Sequence, residues 1–311
     1  MSRIHEALKK AAQERSHKHS ENGNLEAPEV FVEGPAATEI PSTVPGASVA
    51  EAWSASVLPH TSQVKQFLDG CPHTAWNVEP KLSVFSSQAN AVRGAERFRT
   101  LRSRLLQISA VQPLHRILVT SSLPEEGKTF VAANLAQTFV YQSDRRVLMI
   151  DADMRAPRLH VHFGTTYSPG LSEYLLGQAD ETEILQVGPE GNLCLIPGGN
   201  QVPDASELVH SERMKSLLDR MSEIFDCVIL DSPPALAVHD ASILSDICDG
   251  VIFVVRAGQT DSEVAERAAG EFRKKNLLGV VLNRADESDT YGGYYGDYYQ
   301  NPSRNGAGKK K

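Results

Sequence analysis

The stretch Ser121-Ser-Leu-Pro-Glu-Glu-Gly-Lys-Thr129 follows an apolar run, His115–Thr120, and leads into a helix-type segment, Thr129–Gln142. A strand, a glycine-bearing turn ending in lysine and a helix, in that order, is the setting of a phosphate-binding loop. This feature constrains the fold more than any other. Such a loop works only where a buried strand delivers the chain to a helix N-terminus, whose free N–H groups and positive dipole end face the anion. Ser122, Pro124, Glu125, Glu126, Gly127, Lys128, Thr129 and Phe130 are therefore candidate nucleotide contacts. Lys128 is expected to reach the β- and γ-phosphate oxygens, and the Thr129 hydroxyl to ligate magnesium. Ser122 stands where the G-x-x-x-x-G-K-[ST] pattern has its first glycine. An ordinary strand–helix turn capped by threonine is the alternative.

Twenty-three residues beyond Lys128, the run Val147-Leu-Met-Ile150 ends in Asp151-Ala-Asp153-Met-Arg155. Alternate residues of an extended chain share a face, and ligands of open α/β sheets bind beyond the carboxyl ends of strands. One of these carboxylates is suited to accept a proton from an attacking hydroxyl, and the second to hold a magnesium-bound water. Lys128, Asp151 and Asp153 are the catalytic candidates. A polar turn in which Arg155 pairs the acids is the simpler reading. A third apolar run, Cys227-Val-Ile-Leu230, ends at Asp231. Thr129, Asp153 and Asp231 make the expected Mg²⁺ set. Asn283, after the last apolar run, is placed to bond an adenine edge or to shape a turn.

The rest of the pattern alternates. Helix-type periodicity covers 88–110, with Phe98, Leu101, Leu105 and Ile108 apolar. Strands are expected at 146–150, 193–196, 227–230, 250–255 and 279–282, and helices at 171–176, 206–223, 240–245 and 261–275. Unbroken runs such as Val251-Ile-Phe-Val-Val255 suit strands covered on both faces. Strand–helix alternation gives an α/β fold, a mostly parallel sheet with helices on both faces, of the phosphate-loop NTPase type. Four segments are expected: a short amphipathic helix at 1–15, a disordered linker at 16–85, the folded domain at 86–286, and a tail at 287–311. The first helix carries Ile4 and Leu8 on one face, and so short a helix either docks or frays.

Composition narrows the class. A net charge of −8 argues against a nucleic-acid partner, which wants a basic footprint. The four cysteines lack C-x-x-C or His-paired spacing and read as reduced core thiols of a cytoplasmic chain. No stretch approaches the ~18 apolar residues of a membrane span, and the N-terminus has no apolar signal region. Two clusters remain. Glu96, Arg99 and Arg102 recur at spacing three, suited either to a common partner or to a solvated helix face. Tyr291, Tyr294, Tyr295, Tyr298 and Tyr299 crowd the tail among glycines.

Taken together, these residues resemble the bacterial tyrosine kinases of capsule and exopolysaccharide synthesis. The resemblance covers about residues 85–299. It rests on Pro124-Glu-Glu-Gly-Lys-Thr129, Ile150-Asp-Ala-Asp-Met-Arg155 with Pro157, Ile229-Leu-Asp-Ser-Pro-Pro234, the Glu96/Arg99/Arg102 element and the tyrosine tail. Gly170–Gly177 and Pro197-Gly-Gly199 fit as well. The resemblance implies a kinase, built on a phosphate-loop ATPase sheet, that uses ATP and Mg²⁺ to phosphorylate tail tyrosines of a neighbouring copy. It implies a homo-oligomeric ring formed through the Glu96/Arg99/Arg102 helix, and an activating membrane polysaccharide co-polymerase, here a separate chain. A tyrosine phosphatase partner and a place at the inner face of the cytoplasmic membrane follow from the same likeness. A partitioning-type ATPase, switching assembly without phosphorylating protein, is the competing class. Those proteins carry a second lysine five positions before the loop lysine, where this chain has Leu123. A pseudokinase scaffold is the third reading.

Overall fold

The structure, a computed structural model, describes residues 32–33, 61–85, 89–141 and 145–285. The expected N-terminal helix, much of the linker and the tyrosine tail lie outside the described residues. Among the described residues, eight strands form one sheet: β1 (Val32–Glu33), β2 (Arg116–Ser121), β3 (Val147–Asp151), β4 (Gln186–Val187), β5 (Leu193–Ile196), β6 (Cys227–Asp231), β7 (Gly250–Arg256) and β8 (Leu277–Asn283). Their spatial order is β1-β8-β7-β2-β6-β3-β5-β4. The six central strands run parallel, and the short edge strands β1 and β4 pair antiparallel.

Alternation along the strands explains the two covered faces. Leu118, Leu148, Ile150, Val228, Leu230 and Phe253 point to one core. Their neighbours Ile117, Val119, Met149, Ile229, Ile252 and Val254 point to the other. Helices α2 (Ala89–Ser109) and α3 (Lys128–Val140) cover the second face. Phe98, Leu101 and Leu105 of α2 recur at helical spacing, and all three are buried in that core. Truncating so well packed a ring as Phe98 to alanine costs about 3–5 kcal/mol. The first face is covered from later in the chain, chiefly by α8 (Glu212–Ile224) and α10 (Ser262–Gly270). The Ser211 hydroxyl accepts from Met214 N to start α8, and the Asp261 carboxylate accepts from Glu263 N and Val264 N to start α10.

Three expectations need correction. The 16–85 segment is not linker throughout. Helix α1 (Thr61–Asp69) lies inside it, with Val64 and Cys71 buried. Downstream, Val84 N donates to Asn134 Oδ1 at 2.8 Å, which ties the segment to α3, and Val32–Glu33 pairs with β8. The single helix expected at 206–223 is two, α7 (Ala205–Val209) and α8, because Ser211 caps the second afresh. The helix expected to reach Lys275 ends at Gly270, and turns carry the chain to β8. Among the described residues there are four further short helices: α4 (Leu159–Phe163), α5 (Leu171–Leu175), α6 (Glu181–Ile184) and α9 (Asp240–Ser245).

Candidate active site

Three parallel strands, β2, β6 and β3, lie side by side and end at one edge of the sheet. β2 delivers the loop 122–127, β3 delivers Asp151, and β6 delivers Asp231. Asp151 and Asp231 are direct register partners, so two carboxylates stand on adjacent strands.

The loop is strapped down from the neighbouring strand ends. Glu126 is buried, and its carboxylate accepts from Leu123 N at 2.6 Å, from the Thr260 hydroxyl and from Arg256 N at 3.4 Å. Asn283 Nδ2 donates to the Glu126 carbonyl at 2.8 Å, and Asn283 Oδ1 accepts from Arg284 N at 3.0 Å. Gly127 has φ +97°, and a Cβ there would stand 1.9 Å from Asn283 Nδ2. Only glycine fits, by dihedral and by space. Ser122 is buried, and its Oγ has no hydrogen-bond partner among the described residues.

From this loop, α3 aims Lys128 and Thr129 at the acids. Lys128 Nζ lies 2.9 Å from Asp153 Oδ2 and 3.9 Å from Asp231 Oδ1. The Thr129 hydroxyl donates to Asp231 Oδ2 at 2.6 Å. Asp151 Oδ2 accepts from Arg158 N and Leu159 N, both at 2.8 Å, and Oδ1 accepts from Asp153 N at 3.3 Å. Asp231 Oδ1 is buried without a hydrogen-bond partner among the described residues. Asp151 and Asp231 are both fully buried.

Burial and the Asp231 charge push the Asp151 carboxyl up to about 8, against its backbone N–H donors and Lys128. Burial likewise lifts Asp231 to about 6, although Lys128 and Thr129 oppose it. Burial alone would weaken the hold of Lys128 on its proton. Asp231 and Asp153 outweigh it, so the ammonium is held above its usual range. The cluster thus has an excess of negative charge in a dry place. An orphaned carboxylate oxygen beside a threonine hydroxyl and a further carboxylate fits a hard divalent cation, which takes oxygen donors.

Not every predicted contact faces this crevice. The Phe130 ring packs on Phe98, centroids 6.0 Å apart, at the α2–α3 interface. Its side chain is thus taken from a nucleotide, leaving the backbone. The Asn283 amide is engaged with the loop and not presented as an adenine reader. Glu96 pairs Arg99 on the surface of α2, whereas Arg102 Nη1 donates to the Thr138 carbonyl of α3 at 3.3 Å. The three residues of that element therefore do not share one free face. The five tail tyrosines lie outside the described residues.

Sequence reasoning missed two supports. Arg155 does not pair the site's acids. Its Nε lies 3.3 Å from Asp240 Oδ2, and its Nη2 donates to Ser206 Oγ at 2.9 Å, which ties the β3 loop to α7 and α9. Glu173 is buried and accepts from Gly170 N at 2.8 Å and Asn200 N at 3.0 Å. Glycines flanked this site in sequence: Gly199 has φ +80°, and a Cβ on Gly170 would meet the Pro197 carbonyl at 2.4 Å.

Comparison with known proteins bears on the identity of this arrangement. A family model described as an AAA domain matches residues 125–265. The chain is 36% identical over 206 residues to the tyrosine-protein kinase YwqD of Bacillus subtilis, covering 65% of this chain and 86% of that one. It is 35% identical over 225 residues to the tyrosine-protein kinase etk of Escherichia coli K12, covering 70% of this chain and only 30% of the larger relative. Among solved structures, the kinase domain of Escherichia coli tyrosine kinase ETK superposes with a TM-score of 0.58 at 33% identity, covering 64% of this chain and 80% of that one. With the loop lysine, the paired strand-end acids and these similarities in place, the chain belongs to the bacterial tyrosine-protein kinase family.

Proposed function

We propose that this chain is an ATP-dependent protein-tyrosine autokinase that phosphorylates its own tyrosine cluster, Tyr291, Tyr294, Tyr295, Tyr298 and Tyr299, in trans between copies. The observation that carries this reading is the placement of Lys128 among three buried or nearly buried acids at the mouth of the phosphate loop. Lys128, released from Asp153 when nucleotide arrives, offsets charge building on the transferred phosphoryl group. Thr129, Asp231 and Asp153 would hold Mg²⁺, which when bound neutralises phosphate charge. Asp151, tuned toward neutrality, takes the proton of the attacking tyrosine hydroxyl, since a general base works best near the operating pH.

Family membership supports the wider role. The kinase would regulate capsule or exopolysaccharide synthesis and export, oligomerise partly through the Glu96/Arg99 surface of α2, and meet a separate membrane polysaccharide co-polymerase as activator. A tyrosine phosphatase would reset it. Among the described residues, no helix is long and apolar enough to cross a membrane, so a place at the inner membrane face would come through that partner. The competing assembly-switch ATPase is less well supported, because Leu123 occupies the position of its second lysine.

Intact mass of the purified chain before and after ATP–Mg²⁺ tests the proposal. Successive additions of one phosphate unit are expected, and deletion of 286–311 removes them. ATP turnover without any mass gain would favour the assembly switch instead.

A further inference from the structure

Residues 72–85 touch three elements of the fold in turn. At the sheet edge, Val187 N of β4 donates to the Pro72 carbonyl at 2.8 Å, and Thr74 N donates to the Val187 carbonyl at 3.0 Å. The chain then crosses to the C-terminal end of α4. Asn77 N donates to the Phe163 carbonyl at 2.8 Å, and the Trp76 ring lies 4.7 Å from the Phe163 ring, centroid to centroid. Trp76 Nε1 donates to Thr74 Oγ1 at 2.8 Å, which fixes the indole. Gly164 closes α4 with φ +61°, and a Cβ there would collide with the Asn77 carbonyl.

A turn closed by Leu82 N on the Glu79 carbonyl, at 2.8 Å, brings the same segment to α3. Asn134 Nδ2 donates to the Leu82 carbonyl at 2.9 Å, and Asn134 Oδ1 accepts from Val84 N at 2.8 Å. Asn134 is fully buried, and both ends of its amide reach the segment. Ser83 Oγ donates to Gln137 Oε1 at 3.2 Å, and the Phe85 ring lies 4.8 Å from the Tyr141 ring.

The two gripped helices are those that face the acids. α3 starts with Lys128 and Thr129. α4 starts at Leu159, and Arg158 N and Leu159 N are the donors that hold Asp151 Oδ2. A helix this short does not hold itself. At about 1.5 Å per residue its ends are only about 6 Å apart, so fixing Phe163 and Gly164 helps to fix Leu159.

Resting on the autokinase reading, we propose that residues 74–85 are a positioning strap for phosphoryl transfer: by holding the end of α4 and the flank of α3 together, they set the placement of Asp151 against the phosphates gripped by Lys128. The strap acts through the two helices and not on the reacting atoms. A misplacement of about 1 Å far from the chemistry can cost about 10²-fold in rate. Loosening the strap at α4 is therefore read in rate before it is read in nucleotide affinity.

The test uses the full chain. Trp76→Ala removes the ring from α4, and Gly164→Ala pushes Asn77 off α4 with the ring kept. Phe272→Ala, buried in the opposite core against Phe253 at 5.9 Å, controls for lost stability alone. Each is assayed well below its own melting temperature for initial rate of tyrosine labelling at saturating Mg²⁺–ATP, for Mg²⁺–ADP affinity, and for hydrogen exchange of the Arg158 and Leu159 amides. Both strap variants should label about tenfold more slowly or worse, bind Mg²⁺–ADP as wild type does, and exchange those two amides faster. Trp76→Phe should recover most of the rate, and Phe272→Ala should leave all three measurements near wild type. Wild-type labelling in both strap variants would overturn the assignment. So would a rate loss that Phe272→Ala reproduces, or one accounted for by weaker nucleotide binding. Labelling by the wild type tests the kinase reading by itself, whereas the strap is tested by the ratio of each variant to wild type.

Discussion

Two buried-acid regions flank the β3 loop and behave oppositely. Around Glu173, the N–H groups of Asn200 and Gly170 and the hydroxyls of Ser172 and Ser168 converge on one carboxylate. Burial alone would raise its pKa, but the donors win and hold it below the usual range. Around Asp151 and Asp231 burial wins, with the two pushed to about 8 and about 6 and one oxygen without a hydrogen-bond partner among the described residues. The same functional group is a finished structural joint in one place and an unfinished one in the other. Buried polar groups are normally satisfied, so the unfinished joint marks where a ligand completes the structure. The finished one keeps the Gly199–Asn200 turn in place.

The contrast can be broken most forcefully at Lys128. Lys128→Met should lower phosphoryl transfer by about 10³-fold or more, measured as initial rate of tyrosine labelling. The fold should persist, because Asp151 and Asp231 can take up protons when the cation is gone. Wild-type labelling by the variant would remove Lys128 from the mechanism.

Glu173→Gln probes the finished joint. Losing the charge on several hydrogen bonds should destabilise the chain by about 2 kcal/mol at pH 7, seen as a lower denaturation midpoint. The pKa is depressed in the fold, so this contribution is present above the unfolded pKa and lost as pH falls through the folded one. The gap between wild type and variant should therefore close below about pH 4. A gap that widens in acid would contradict the assignment.

A smaller effect of opposite sign is expected at Asp151. Its folded pKa is raised, so its contribution is fully present below the unfolded value and is lost as pH rises toward 8. In nucleotide-free protein, Asp151→Asn should match wild type near pH 4 and melt about 3 °C higher at pH 8. Its transfer rate should nonetheless fall about 10²-fold. Equal melting at both pH values would show that Asp151 is not strained by its charge.

Much of this was legible before the structure. The runs ending in Asp151 and Asp231 and the loop between β2 and α3 follow from local pattern, because fully buried parallel strands leave unbroken apolar text. Helix α1 was not read, although Val64, Phe67 and Leu68 recur at helical spacing before Asp69-Gly70. Nine residues with few apolar side chains give too short a period to stand out from a Ser/Pro-rich neighbourhood. The roles of Asn283, Arg155 and Glu126 could not be read locally, since their partners lie 157, 85 and 134 residues away in sequence. The direction of the Phe130 side chain was not legible for a related reason. Its position beside Lys128 suggested the nucleotide, while helical geometry turns its ring to Phe98.

The most direct test of the central claim is the melting temperature of wild type, Asp231→Asn and Glu173→Gln with and without saturating Mg²⁺–ADP. A ligand that binds only the folded chain at a hundred times its Kd stabilises by about 2.7 kcal/mol. The account predicts a clear upward shift in wild type, an undiminished shift from a lower starting point in Glu173→Gln, and loss of the magnesium-dependent part in Asp231→Asn. Equal shifts in both variants would contradict the division between a finished joint and a ligand-completed one.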